Sequence, residues 1–86
     1  MENQTQARVL DILREFLGAA LPPGGVLTAD TPLLEGGLLD SLGILQLTTK
    51  IEAVFGIEVM DADFVPENFE TVGSLTRYVQ ARLAGG

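Results

Sequence analysis

The stretch that decides the fold runs from Leu38 to Gly56 and reads "LLDSLGILQLTTKIEAVFG". After Ser41, the residues Ile44, Leu47, Thr48, Ile51, Val54 and Phe55 recur at the three- and four-residue spacing of one helical face. The spacing predicts a helix from Ser41 to Phe55, ended by Gly56, because glycine readily takes the left-handed conformation that closes a helix. Aspartate and serine are both favoured at a helix start, where a side-chain cap is worth about 1 kcal/mol. Asp40 can supply that cap by itself, which leaves the Ser41 hydroxyl without a structural duty. Leu42 and Leu45 point off the apolar face, with Leu45 one turn below Ser41. A hydroxyl beside apolar side chains that the core does not need reads as a docking site.

The rest of the chain is organised around this helix. Upstream, Val9, Ile12, Leu13 and Phe16 recur at helical spacing in "QARVLDILREFLGAAL", with Leu10 and Leu17 widening the stripe. A helix from Thr5 to Leu17 is expected, stopped by Gly18 and the pair Pro22-Pro23. The connection "LPPGGVLTADTPLLEGGLLD" holds three prolines and four glycines and has no sustained period. It is long for a compact domain, yet Leu27, Leu33, Leu34, Leu38 and Leu39 are too apolar to stay in water. An ordered loop lying across the core is expected, with a short helical turn in "TADTPL". Downstream, Ile57 and Val59 of "GIEV" can tuck inward. "MDADFVPENFE" reads as a loop with one helical turn from Pro66 to Phe69, since proline is tolerated in a first turn. Thr71 suits the cap of a last helix from Val72 to Leu83, on which Val72, Leu75, Val79 and Leu83 repeat. Ser74 reads as a tolerated surface residue of that helix, and the terminal "AGG" as frayed. The expected architecture is all-α: a small bundle of three main helices and one short one, with a long first loop and no strand pairing. One domain spans residues 1–86, with its core between about 5 and 83.

Composition removes most chemistries. There is no cysteine and no histidine, so the common nucleophilic triads and zinc sites are closed to this chain. Its 47% apolar content has to build the core unaided. The acids of "EVMDADFVPE" lack the ligand spacing and central glycine of a calcium loop, and no glycine-rich loop carries a phosphate-binding lysine. A net charge of −7 repels phosphate backbones, so no nucleic-acid partner is expected. The polar start "MENQTQARVL" is not a signal peptide, and no run reaches the length of a spanning helix. A cytoplasmic protein without a membrane partner is expected. A small acid–base enzyme would need a cleft that a bundle of this size has little room for.

On the residues just quoted, the chain resembles the acyl carrier and peptidyl carrier proteins. "GLLDSLGILQLTTKIEAVFGIEV" carries the Asp-Ser-Leu motif at the start of the second helix, and "FETVGSLTRYV" leads into the last one. The likeness covers nearly the whole chain and includes the long first loop. It implies a carrier and not an enzyme, with 4′-phosphopantetheine from coenzyme A attached to Ser41 through a phosphodiester and with Asp40 and Leu42 flanking it. A phosphodiester there would meet the free N–H groups and positive dipole end of a helix. The arm's thiol would hold an acyl or aminoacyl group as a thioester. The implied partners are a phosphopantetheinyl transferase, an acyl- or aminoacyl-adenylating ligase, and downstream synthase, condensation or tailoring enzymes. They would dock on Leu42 and Leu45, ringed by Gln46, Thr49 and Glu52, with Met60, Asp61 and Asp63 completing the surface. A free-standing monomer is expected. Fatty-acid carriers usually have a strongly acidic second helix, whereas here it holds only Glu52, and five acids lie between Glu58 and Glu70. That favours a carrier of specialised metabolism, polyketide or nonribosomal peptide. Peptidyl carriers usually have glycines before the serine motif, and this chain has Leu38-Leu39-Asp40. A housekeeping fatty-acid carrier and an unmodified helical adaptor remain the alternatives.

Overall fold

Asp40 opens helix α2 (Ser41–Phe55) as the sequence predicts: it is extended, and its carboxylate accepts the Gly43 N–H. Gly56 closes the helix in the left-handed conformation, at φ 68°. The computed structural model describes residues 2–18, 27–35 and 37–85. Around α2 it places α1 (Glu2–Leu17), a single 3-10 turn (Asp61–Asp63), α3 (Pro66–Phe69) and α4 (Val72–Leu83). The fold is therefore the expected small all-α bundle of three main helices and one short one. The expected stop at Pro22-Pro23 lies outside the described residues.

The core is one cluster. Val9, Ile12, Leu13 and Leu17 of α1 meet Leu47 and Ile51 of α2, Phe69 of α3, and Val72, Leu75, Tyr78 and Val79 of α4. Each such side chain gains about 1.5–3 kcal/mol by leaving water, and together they carry a chain without metal or disulfide. Two hydroxyls are buried with them. Thr48 donates to the Leu45 carbonyl at 2.9 Å and Thr76 to the Val72 carbonyl at 2.8 Å, so neither is left unsatisfied.

From Leu27 onward the first loop is ordered across this core, with Leu27, Leu33 and Leu39 buried and Leu34 and Leu38 packed beside them. Its backbone is spent on the start of α4. The Thr31 and Ala29 carbonyls accept the Val72 and Gly73 N–H groups at 3.1 and 2.8 Å, and the Leu33 N–H donates to the Glu70 carbonyl at 2.9 Å. Gly73 permits this approach, because a Cβ there would lie 3.1 Å from the Ala29 oxygen. A single bridge between Pro32 and Thr71 is the only strand-like pairing among the described residues.

Several expectations change. Helix α1 begins at Glu2, not Thr5, because a first turn of polar helix formers leaves no apolar period to read. The short helical turn expected in "TADTPL" is a single turn closed by the Thr31 N–H on the Thr28 carbonyl, 3.1 Å, and does not extend into a helix. Val54 and Leu83 keep the right spacing but remain 39% and 47% exposed, and both border an open pocket against Gln4, Thr5, Ala7 and Arg8 of α1. Ser74 is no idle surface residue. Its N–H donates to the Thr71 hydroxyl at 3.0 Å, and the two hydroxyls are 3.0 Å apart.

Candidate functional site

The start of α2 is capped and yet open. Asp40 spends one carboxylate oxygen on the Gly43 N–H, at 2.7 Å, and its carbonyl accepts the Ile44 N–H, at 2.9 Å. The Ser41 and Leu42 amides precede the first intrahelical bond, and among the described residues neither has an acceptor. Ser41 is exposed, and no described group hydrogen-bonds its hydroxyl. The site thus offers one unengaged hydroxyl beside two free N–H donors at the positive end of a 15-residue helix. Among the described residues none hydrogen-bonds that hydroxyl as a base would to activate it.

Apolar surface surrounds it. Leu42 is 63% exposed and Leu45 53%. Beside Ser41 opens a groove of about 350 Å³, lined by Leu34, Ile44, Leu45, Phe64, Val65, Pro66 and Phe69 together with Ser41 itself. Of the residues assigned to the site from the sequence, the groove brings together only Ser41 and Leu45. Its opposite wall went unread. Phe64 and Val65 sit in an acidic loop that reads as connection, although two adjacent apolar residues there are a signal. Phe64 stacks on Phe69, ring centres 6.1 Å apart, which turns it inward.

The polar residues assigned to docking divide into two groups. Gln46, Thr49 and Asp61 are exposed, as is Met60 at 47%. Glu52 and Asp63 are half-buried and committed within the fold. Glu52 accepts the Val59 N–H at 2.9 Å. Asp63 accepts the Met60 N–H at 3.1 Å and the Tyr78 hydroxyl at 2.7 Å. The Tyr78 hydrogen bond, reinforced by the Met60 amide, holds the Asp63 carboxyl below the ordinary carboxylate range. Burial first, and the Asp63 carboxylate second, push the Tyr78 phenol up. The acids of α2 are thereby reduced to one whose charge is turned toward its own loop. Among the described residues no helix is long and apolar enough to cross a membrane.

Known proteins resemble this chain along most of its length. Residues 7–79 match the family described as "Phosphopantetheine attachment site". A D-alanyl carrier protein of Enterococcus faecalis is 38% identical over 76 residues, which cover 88% of this chain and 94% of that one. D-alanyl carrier protein 1 of Lactiplantibacillus plantarum is 30% identical, covering 91% and 92%. Among solved structures, a holo acyl carrier protein of Nitrosomonas europaea superposes with a TM-score of 0.75 at 32% identity, over 93% of this chain and 95% of that one.

Proposed function

We propose a function that starts from a settled point: the chain belongs to the phosphopantetheine-attachment family of carrier proteins. It is a carrier and not a catalyst, and its cofactor is covalently attached 4′-phosphopantetheine. A carrier of this kind partners a phosphopantetheinyl transferase and the enzymes that load and unload it. When bound, the arm supplies a terminal thiol that holds cargo as a thioester.

In our reading the attachment point is Ser41, and the single observation behind this is its unengaged hydroxyl beside two free amides. The residues present fit the group. The Ser41 and Leu42 N–H groups can hold a phosphodiester oxygen, and the helix dipole favours the added charge. Asp40 opposes that charge but keeps the helix start in place through Gly43. Leu42 and Leu45 would give partner enzymes an apolar foothold, with Gln46 and Thr49 at its edge and Met60 and Asp61 on the adjoining loop. Residues 1–86 would act as one carrier domain.

For cargo we favour an aminoacyl group. Relatives named D-alanyl carrier proteins support this, as does an α2 with no acid in its first turn. Specialised polyketide or nonribosomal peptide pathways fit the same neutral helix. A longer acyl cargo is the second reading, favoured by the apolar groove at Ser41. Loading decides between them. The arm-bearing protein is offered to ligases specific for D-alanine, for other amino acids and for fatty acids, and its intact mass is followed. Aminoacyl mass gain supports the first reading. Gain with fatty acids alone replaces it with the second.

A further inference from the structure

The segment between α2 and α3 forms one side of the groove, and core packing fixes it only in part: Ile57, Val59 and Phe64 rest against the core, but from Gly56 to Asn68 no residue is fully buried. Side chains reaching in from the helices hold the rest. From α2, Glu52 accepts the Val59 N–H at 2.9 Å. From α4, Arg82 donates to the Glu58 carbonyl at 3.1 Å, and the Tyr78 hydroxyl donates to Asp63 Oδ2 at 2.7 Å. The same Asp63 oxygen accepts the Met60 N–H at 3.1 Å. The Asp63 carbonyl accepts the Asn68 side-chain amide at 2.8 Å and the Val65 N–H at 2.9 Å. One residue therefore joins the 3-10 turn, α3 and α4. The next residue in the chain is Phe64, which with Val65 lines the same groove as Ser41.

We propose that Asp63 and Tyr78 are positioning residues for arm attachment: their hydrogen bond fixes the Phe64–Val65 wall that a transferase meets together with Ser41. This rests on Ser41 being the attachment point. The wall lines the same groove as Ser41; Phe64 leans on Phe69, and Asp63, the residue before it, is what ties the wall by hydrogen bonds to α3 and α4. Freeing it leaves the core cluster intact, because the Tyr78 ring still packs against Phe69 with centres 6.3 Å apart. The contribution of Tyr78 to the wall thus resides in its hydroxyl, separable from its contribution to the core.

Tyr78→Phe removes that hydroxyl alone. In a transferase assay with coenzyme A, KM for the folded variant should rise about three- to tenfold with kcat little changed, the range open to one lost hydrogen bond of ordinary strength. Asp63→Ala should match it. Asp63→Asn keeps an acceptor oxygen and should restore KM to within about twofold of the parent. Without any transferase, amide exchange at Phe64 and Val65 should quicken about tenfold in Tyr78→Phe while Leu75 and Val79 hold their protection. A folded Tyr78→Phe with the parent's KM, or an Asp63→Asn as impaired as Asp63→Ala, overturns the proposal. A parent chain that takes no arm overturns the reading of Ser41 itself, an outcome distinct from both.

Discussion

The two serines of the chain both sit in the first turn of a helix behind a capping residue, and the fold treats them in opposite ways. At α4 every donor of the first turn is engaged. Thr31 and Ala29 carbonyls take the Val72 and Gly73 amides, Thr71 takes that of Ser74, and Leu75 closes on the Thr71 carbonyl. The Ser74 hydroxyl is shared with Thr71 at 3.0 Å and receives Arg77 at 3.4 Å. At α2 Asp40 takes one amide, and the Ser41 and Leu42 amides stay open to water among the described residues. The cap chemistry is alike. What differs is the cover: the loop after Leu27 gives backbone carbonyls to the start of α4 and, among the described residues, none before Asp40 to the start of α2. An N-terminus sealed by backbone serves stability, and one left wet can hold an anion.

That contrast can be attacked by mutation. The largest effect should come from Phe69→Ala. This side chain is fully buried between the groove and the start of α4, and its removal should cost about 3–5 kcal/mol in a urea melt. A loss below about 1 kcal/mol would mean that the sealed end does not rest on the core. Next come the caps. Thr71→Ala should cost about 2 kcal/mol, because the half-buried Ser74 hydroxyl loses its partner too, and Asp40→Ala about 1 kcal/mol at the exposed end. The reverse order would contradict the contrast.

Acid should have a smaller and more local effect. Asp63 titrates below its ordinary value when folded, so its bond to Tyr78 contributes stability above the unfolded carboxylate pKa. That contribution is lost as pH falls through the lower, folded value. Arg82 and Glu52 are the other charges that reach this pair from the helices packed against it. Amide exchange followed down in pH should loosen Phe64 and Val65 before the first turn of α4. Simultaneous loosening would show that the latch is not the acid-sensitive part.

The helices were legible because periodicity and caps are local. Ile44, Leu47 and Ile51 announce α2, Asp40 and Gly56 bound it, and Thr71 and Pro66 mark the starts of α4 and α3. Ser41 was legible for the same reason, since Asp40 made its hydroxyl redundant as a cap. Most of the missed features are tertiary. The 3-10 turn at Asp61–Asp63 exists through Asp63 reaching back to Met60 and across to Tyr78, a partner fifteen residues away. Glu52 looked like solvated surface because nothing in its own helix shows that Val59 N–H lies within reach. The groove is lined from residue 34 to residue 69, so no single window of sequence contains it. Ser74 looked idle because helical periodicity does not show that Thr71 and Arg77 employ its hydroxyl.

The central claim is that the open helix end, and not the sealed one, carries the arm. The direct test is intact-mass measurement after incubation with coenzyme A and a promiscuous phosphopantetheinyl transferase, on the parent chain, Ser41→Ala and Ser74→Ala. The account predicts one added phosphopantetheine on the parent and on Ser74→Ala, and none on Ser41→Ala. A gain that survives Ser41→Ala, or a parent that stays unmodified with several transferases, would contradict it.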